Sequence, residues 1–92
     1  MKYDLMMTKR FQKERKLAEK RGLSMRLLDD IVLKLADGIP LPKSNRDHAL
    51  SGSMAKYREC HIQPDWLLVY RIEEDILVLV LSRTGSHSDL FE

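Results

Sequence analysis

Cysteine occurs once in the 92 residues, at Cys60. That excludes an internal disulfide and fits a reducing cytosol. It also weighs against a zinc site. The only histidine beside Cys60 is His61, and neighbours on a strand point to opposite faces. Long apolar runs are missing too. No segment approaches the roughly 20 apolar residues of a membrane span. The start, Met1-Lys2-Tyr3-Asp4-Leu5-Met6-Met7, has too short an apolar stretch for a signal peptide. A cytoplasmic chain with no membrane partner is expected. Repeats, low-complexity tracts and long linkers are absent, so residues 1–92 read as one domain with little sequence to spare.

A large net charge is lacking as well: the formal value is +2. The charge is uneven, however. Residues 1–21 hold eight Lys/Arg against three acids, and residues 73–92 hold Arg83 against five acids. A basic segment suits a polyanion such as nucleic acid. From charge alone the commoner reading is a solvated helix face.

What is present reads as α+β. Residues 2–7 suggest a first strand. Thr8 can cap a very basic helix over 9–21, and Gly22 sits where a helix-terminating glycine belongs. Ser24 can cap a second helix, with Leu27, Leu28, Ile31 and Leu35 on one stripe. Asp37-Gly38, Pro40 and Pro42 end it. The loop over 38–56 is long enough to suggest function. Strands follow near 57–62, 66–72 and 76–82. The expected architecture is a two-helix hairpin on one face of a largely antiparallel four-stranded sheet, with a short C-terminal helix or tail.

Register can be worked out from side-chain alternation. A three-residue loop at 73–75 sets Ile72 opposite Ile76 and Asp65 opposite Arg83. A three-residue loop at 62–64 sets His61 opposite Asp65. The core face is then Cys60, Trp66, Leu68, Tyr70, Ile72, Ile76, Val78 and Val80. The other face gathers His61, Asp65 and Arg83 at one end, with His87 just beyond.

Those residue types suit acid–base work on a phosphate. When RNA is cleaved by its own 2′-hydroxyl, a base takes the hydroxyl proton and an acid protonates the leaving 5′-oxygen. A cation steadies the phosphate between them. Histidine can do either proton step, and arginine grips phosphate in a planar fork. Each residue also has a plainer reading. Asp65–Arg83 is then a cross-strand ion pair, His61 a surface residue and His48 a turn residue. Trp66 reads as core. Phe91 either stacks on a base or pins the tail.

The spaced sets D-H-x-L-x-G from Asp47, Y-R-x-x-H-I-x-P-D-W from Tyr57 and R-x-G-x-H-x-x-L-F from Arg83 resemble the YafQ-type toxins of the RelE/ParE superfamily. The resemblance spans nearly the whole chain and implies a RelE-like fold. It implies a toxin of a bacterial toxin–antitoxin system that cleaves mRNA in the ribosomal A site, with no cofactor and no metal. His87 would be the leading acid or base, aided by His61 and His48, with Asp65 orienting a neighbour and Arg83 holding the phosphate. Trp66 and Phe91 match substrate-contact positions. Lys9, Arg10, Lys13, Lys16 and Lys20 would meet ribosomal RNA. Gly85 would let the chain turn towards His87. The implied partners are the ribosome, mRNA and a small antitoxin in a hetero-oligomeric complex. Ala49 stands where a proline is common and Met54 where an aromatic is common, both in the loop. The rival on the same fold is a ParE-like toxin that inhibits a DNA topoisomerase; three histidines argue against it, since a pure inhibitor needs no proton-transfer set.

Overall fold

A computed structural model describes residues 1–91. The order is β1 (Asp4–Met7), α1 (Lys9–Lys20), α2 (Met25–Ala36), β2 (His48–Ala49), β3 (Arg58–Gln63), β4 (Trp66–Glu73), β5 (Val78–Gly85) and α3 (His87–Phe91). The sheet has five strands in the order β1-β5-β4-β3-β2. It is mixed rather than four-stranded: β1 runs parallel to β5, and the two-residue β2 adds an edge beside β3. The short C-terminal helix is present as α3.

The local reasons are visible. Thr8 caps α1, its hydroxyl oxygen accepting the Phe11 N–H at 3.0 Å. Gly22 closes α1 with a positive φ of 84°. Ser24 occupies the N-cap position of α2, but its side chain makes no capping bond. In α2, Leu28, Ile31, Val32 and Leu35 are buried, whereas Leu27 is exposed.

The helices cover the sheet face that carries Cys60, Trp66, Leu68, Tyr70, Leu79 and Leu81. Leu28, Leu68 and Leu79 are fully buried; each such side chain contributes about 1.5–3 kcal/mol of burial energy. The β3 and β4 residues on this face are the expected ones. On β5 the expected face is inverted. The β4–β5 turn takes four residues, 74–77, and Glu73 pairs with Val78. The extra residue is absorbed by Leu77 at φ 52°, costly for a non-glycine residue. Leu79 and Leu81 therefore face the helices instead of Val78 and Val80, and Ile76 is exposed in the turn.

The register slips again at Ser82, a bulge between Tyr70↔Leu81 and Val69↔Arg83. Arg83 thus faces Val69, not Asp65. The β3–β4 turn is Pro64-Asp65, so Gln63 pairs with Trp66 and His61 with Leu67, not with Asp65. Among the described residues, no helix is long and apolar enough to cross a membrane.

Candidate active site

Antiparallel pairing places His48 opposite Glu59, Glu59 opposite Val69 and Val69 opposite Arg83; the next row is His61, Leu67 and Gly85. Directly paired residues share a face. His48, Glu59 and His61 therefore meet on the face away from the helical core. His87 arrives from α3, its ring centroid 5.6 Å from that of His61.

Local sequence builds α3. In Ser86-His87-Ser88-Asp89, the Ser86 N–H donates to Asp89 Oδ2 and the Asp89 N–H donates to Ser86 Oγ, each at 3.1 Å. This is a reciprocal capping box. Gly85 does not act through a left-handed turn. A Cβ there would come within 3.0 Å of Asp89 Cβ, so the missing side chain makes room for α3.

Asp65, in the turn before β4, accepts both the backbone N–H of His87 at 3.0 Å and its Nδ1–H at 2.9 Å. Those two bonds, the backbone one first, hold its carboxyl below the ordinary carboxylate range. The other two histidines are tied at the same atom. His61 Nδ1–H donates to Pro64 O at 3.2 Å, and His48 Nδ1–H donates to Arg46 O at 2.6 Å. In the neutral ring, a protonated Nδ1 leaves Nε2 as the basic nitrogen. All three histidines thus offer Nε2.

Glu59 is the residue sequence reasoning passed over. It is buried at 6 % exposure, and its Oε1 lies 3.6 Å from His61 Nε2 and 3.7 Å from His48 Nε2. The signal was its position two residues before His61, hence on the same strand face. It gives a protonated His61 or His48 a counter-charge. Glu59, His61 and His87 also hold one donor atom each within 4.8 Å of one another. Imidazole with carboxylate suits zinc or copper, so these three residues are the ones that could hold such an ion.

Arg83 is engaged elsewhere. Its Nε and Nη2 meet the two oxygens of Glu14 on α1 at 3.3 and 2.7 Å. Its Nη2 and Nη1 also donate to the α3 carbonyls of Asp89 and Leu90 at 3.3 and 3.5 Å. Trp66 is 2 % exposed and donates Nε1–H to Thr84 Oγ1 at 2.9 Å; it belongs to the core rather than to the surface. Phe91 is half exposed, 6.4 Å from the His87 ring. Lys9, Arg10, Lys13, Lys16 and Lys20 are all exposed. None of them joins an ion pair among the described residues, whereas Arg15 and Arg21 do.

The loop bearing His48 is pinned to the sheet. Tyr70 donates its hydroxyl to Asp47 Oδ1 at 2.5 Å, and Arg58 Nε reaches the same oxygen at 3.3 Å. Asn45 donates to His61 O at 2.7 Å.

Known proteins share this chain's sequence pattern and fold. The model of the family described as "Bacterial toxin of type II toxin-antitoxin system, YafQ" matches residues 3–92. The chain is 37% identical over 89 residues to the mRNA interferase toxin YafQ of Escherichia coli K12, covering 96% of this chain and 95% of that one. Its fold matches the toxin in the crystal structure of the E. coli DinJ-YafQ toxin-antitoxin complex with a TM-score of 0.90, at 35% identity and full coverage of both chains. It matches a metal-bound toxin from Helicobacter pylori with a TM-score of 0.92, at 42% identity over 97% of this chain and 99% of that one.

Proposed function

The chain belongs to the YafQ family of type II toxin–antitoxin toxins, and from that premise we propose that it is an mRNA interferase, an endoribonuclease that cuts mRNA in the ribosomal A site and so blocks translation. The observation that carries this reading is the Asp65–His87 pair facing His61 across 5.6 Å. The carboxylate fixes the His87 tautomer, so its Nε2 is free for proton transfer.

One Nε2 takes the 2′-hydroxyl proton, and a protonated imidazole across the site returns a proton to the leaving 5′-oxygen. His87 is the principal group. His61 is its partner, with Glu59 behind it to stabilise the imidazolium. His48 assists from β2 through the same carboxylate. Arg83 brings positive charge to the phosphate from the end of β5, its guanidinium held in place by Glu14. Phe91 stacks on a base, and Trp66 anchors the start of β4 next to Asp65. The five exposed cations of α1 grip ribosomal RNA in a salt-sensitive way. A protein antitoxin is the expected partner, as DinJ is in the E. coli YafQ complex.

No metal takes part in these steps. Glu59, His61 and His87 fit a transition-metal ion, and one bound there would occupy the lone pairs that proton transfer uses.

The test is primer extension on a defined mRNA in a purified translation system, with and without ribosomes. In-frame cuts from the wild type, only with ribosomes, and none from His87→Ala, are the expected result. Cuts that persist in His87→Ala, or that need no ribosome, would refute it.

A further inference from the structure

Glu14 is an acid in the most basic stretch of the chain, and nothing about binding RNA explains it. Its carboxylate is 16 % exposed and its ion pair with Arg83 is bidentate. Its Oε1 also accepts the Thr84 N–H at 3.3 Å. One α1 side chain thus accepts a β5 N–H beyond the end of β1 and holds the arginine. Seven residues on, two helical turns along at the C-cap of α1, Arg21 Nη1 meets Asp89 Oδ2 at 2.9 Å. Among the described residues, these are the side-chain hydrogen bonds and ion pairs between α1 with its C-cap and residues 83–91.

Between α1 and α3 opens a cleft of about 320 Å³, lined by Glu14, Leu17, Arg21, Asp65, Trp66 and Asp89, with others. A five-residue helix is too short to hold itself. Its place is set from outside: by Asp65 at His87, by Arg21 at Asp89, and by Arg83 at the carbonyls of Asp89 and Leu90. Two of those three supports lead back to α1. Glu14 takes the Nε/Nη2 edge of the guanidinium, which turns the Nη1/Nη2 edge towards α3. A guanidinium is a rigid fork, so gripping one edge orients the other.

We infer that α1 is a clamp on the catalytic helix, in which Glu14 orients Arg83, Arg21 holds Asp89, and together they keep His87 and Phe91 in register with His61. Glu14 is a positioning residue: it touches neither substrate nor reacting atoms. The inference rests on the ribonuclease reading for its effect on rate, but its structural half is independent of that reading.

The test therefore has two readouts on purified toxin. The first is NMR: the Arg83 Nε–Hε resonance and the heteronuclear NOE of residues 87–91 in wild type, Glu14→Gln, Glu14→Asp and Arg21→Gln. Glu14→Gln should shift the Arg83 signal and lower the NOE of α3, Glu14→Asp should restore part of both, and Arg21→Gln should lower the NOE alone. The second is single-turnover cleavage on programmed ribosomes. Glu14→Gln should slow it at least tenfold with half-saturation changed less than twofold, and Glu14→Asp should recover part of the loss. An unchanged Arg83 resonance and α3 NOE in Glu14→Gln overturn the clamp, whatever the activity. If wild type cleaves nothing while the NMR changes appear, the ribonuclease reading fails and the clamp stands. Should Glu14→Gln fail to fold, Arg21→Gln decides: full α3 order there overturns the proposal.

Discussion

Asp65 holds His87 twice, through the backbone N–H at 3.0 Å and through Nδ1–H at 2.9 Å. One carboxylate therefore sets both where α3 begins and which imidazole nitrogen is free. His87 is exposed and outside the core cluster, so His87→Ala should remove chemistry without removing the fold. Cleavage should fall by about 100-fold or more, the usual scale for a general acid or base, with stability within about 0.5 kcal/mol of wild type. Single-turnover kinetics beside urea melts check both; a large loss of stability would make His87 structural.

The same pair sets a pH limit. The Asp65 carboxyl titrates below its ordinary range because both bonds favour its ionised form. At higher pH Asp65 is ionised whether or not the protein is folded, and its bonds to His87 contribute fully. They are lost as pH falls through the depressed folded value. The Asp65 side-chain carbon resonance, followed by NMR, should move only below the usual aspartate value of about 3.9. A midpoint at or above that value would mean the bonds do not form in solution.

Tyr70→Phe removes the hydroxyl that donates to Asp47 beside His48. The change should cost about 1.5–3 kcal/mol, the scale of a hydrogen bond to a charged group. It should also make the 38–56 loop cut faster by protease. Equal denaturation midpoints for variant and wild type would show that Tyr70 does not pin the loop.

Cys60 is fully buried, and burial, with Asp47 and Glu59 adding to it, pushes its thiol up to about 12. The thiolate is the reactive form. Iodoacetamide at pH 8 should leave the folded protein unmodified and label it on unfolding. Cys60→Ser should keep cleavage activity. Rapid labelling of folded protein would place Cys60 on the wrong face.

Zinc or copper titrated into the toxin should bind through Glu59, His61 and His87 and suppress cleavage. A chelator selective for transition metals should reverse the suppression and leave untreated toxin at full rate. Glu59→Gln should weaken binding at least tenfold by calorimetry. Activity abolished by that chelator alone would show that the chemistry uses a metal.

The parts that sequence made legible are those with a periodic signal. Leu28, Ile31 and Leu35 are buried in α2 as their spacing requires, and Cys60 and Leu68 share the core face by alternation. The failures on β5 have one cause: alternation is exact only until a residue is inserted. Leu77 at φ 52° gives no compositional sign of a four-residue turn, and the bulge at Ser82 gives none either. Each insertion moved β5, and Asp65 lost Arg83 as its partner. The histidines nonetheless converge, because His61 stays on its strand face and His87 is steered by Asp65. His48 rests on a two-residue strand, too short for any period to betray. Glu59 went unassigned because a carboxylate on a strand reads as an ordinary solvent-facing residue until its neighbours are known.

The first strand lies beside the last one, β1 against β5, with Asp4 paired to Val78 and Met7 to Leu81. A chain emerging from its own ribosome must therefore leave residues 4–7 waiting until residues 78–81 arrive. Arg83 and His87 come later still, and Glu14 cannot seize its arginine before then. Order of synthesis thus places the cutting edge after every other strand of the sheet. A chain that ends before residue 78 lacks the partner of β1 as well as Arg83 and His87, and such a half-made toxin has no means to attack a message.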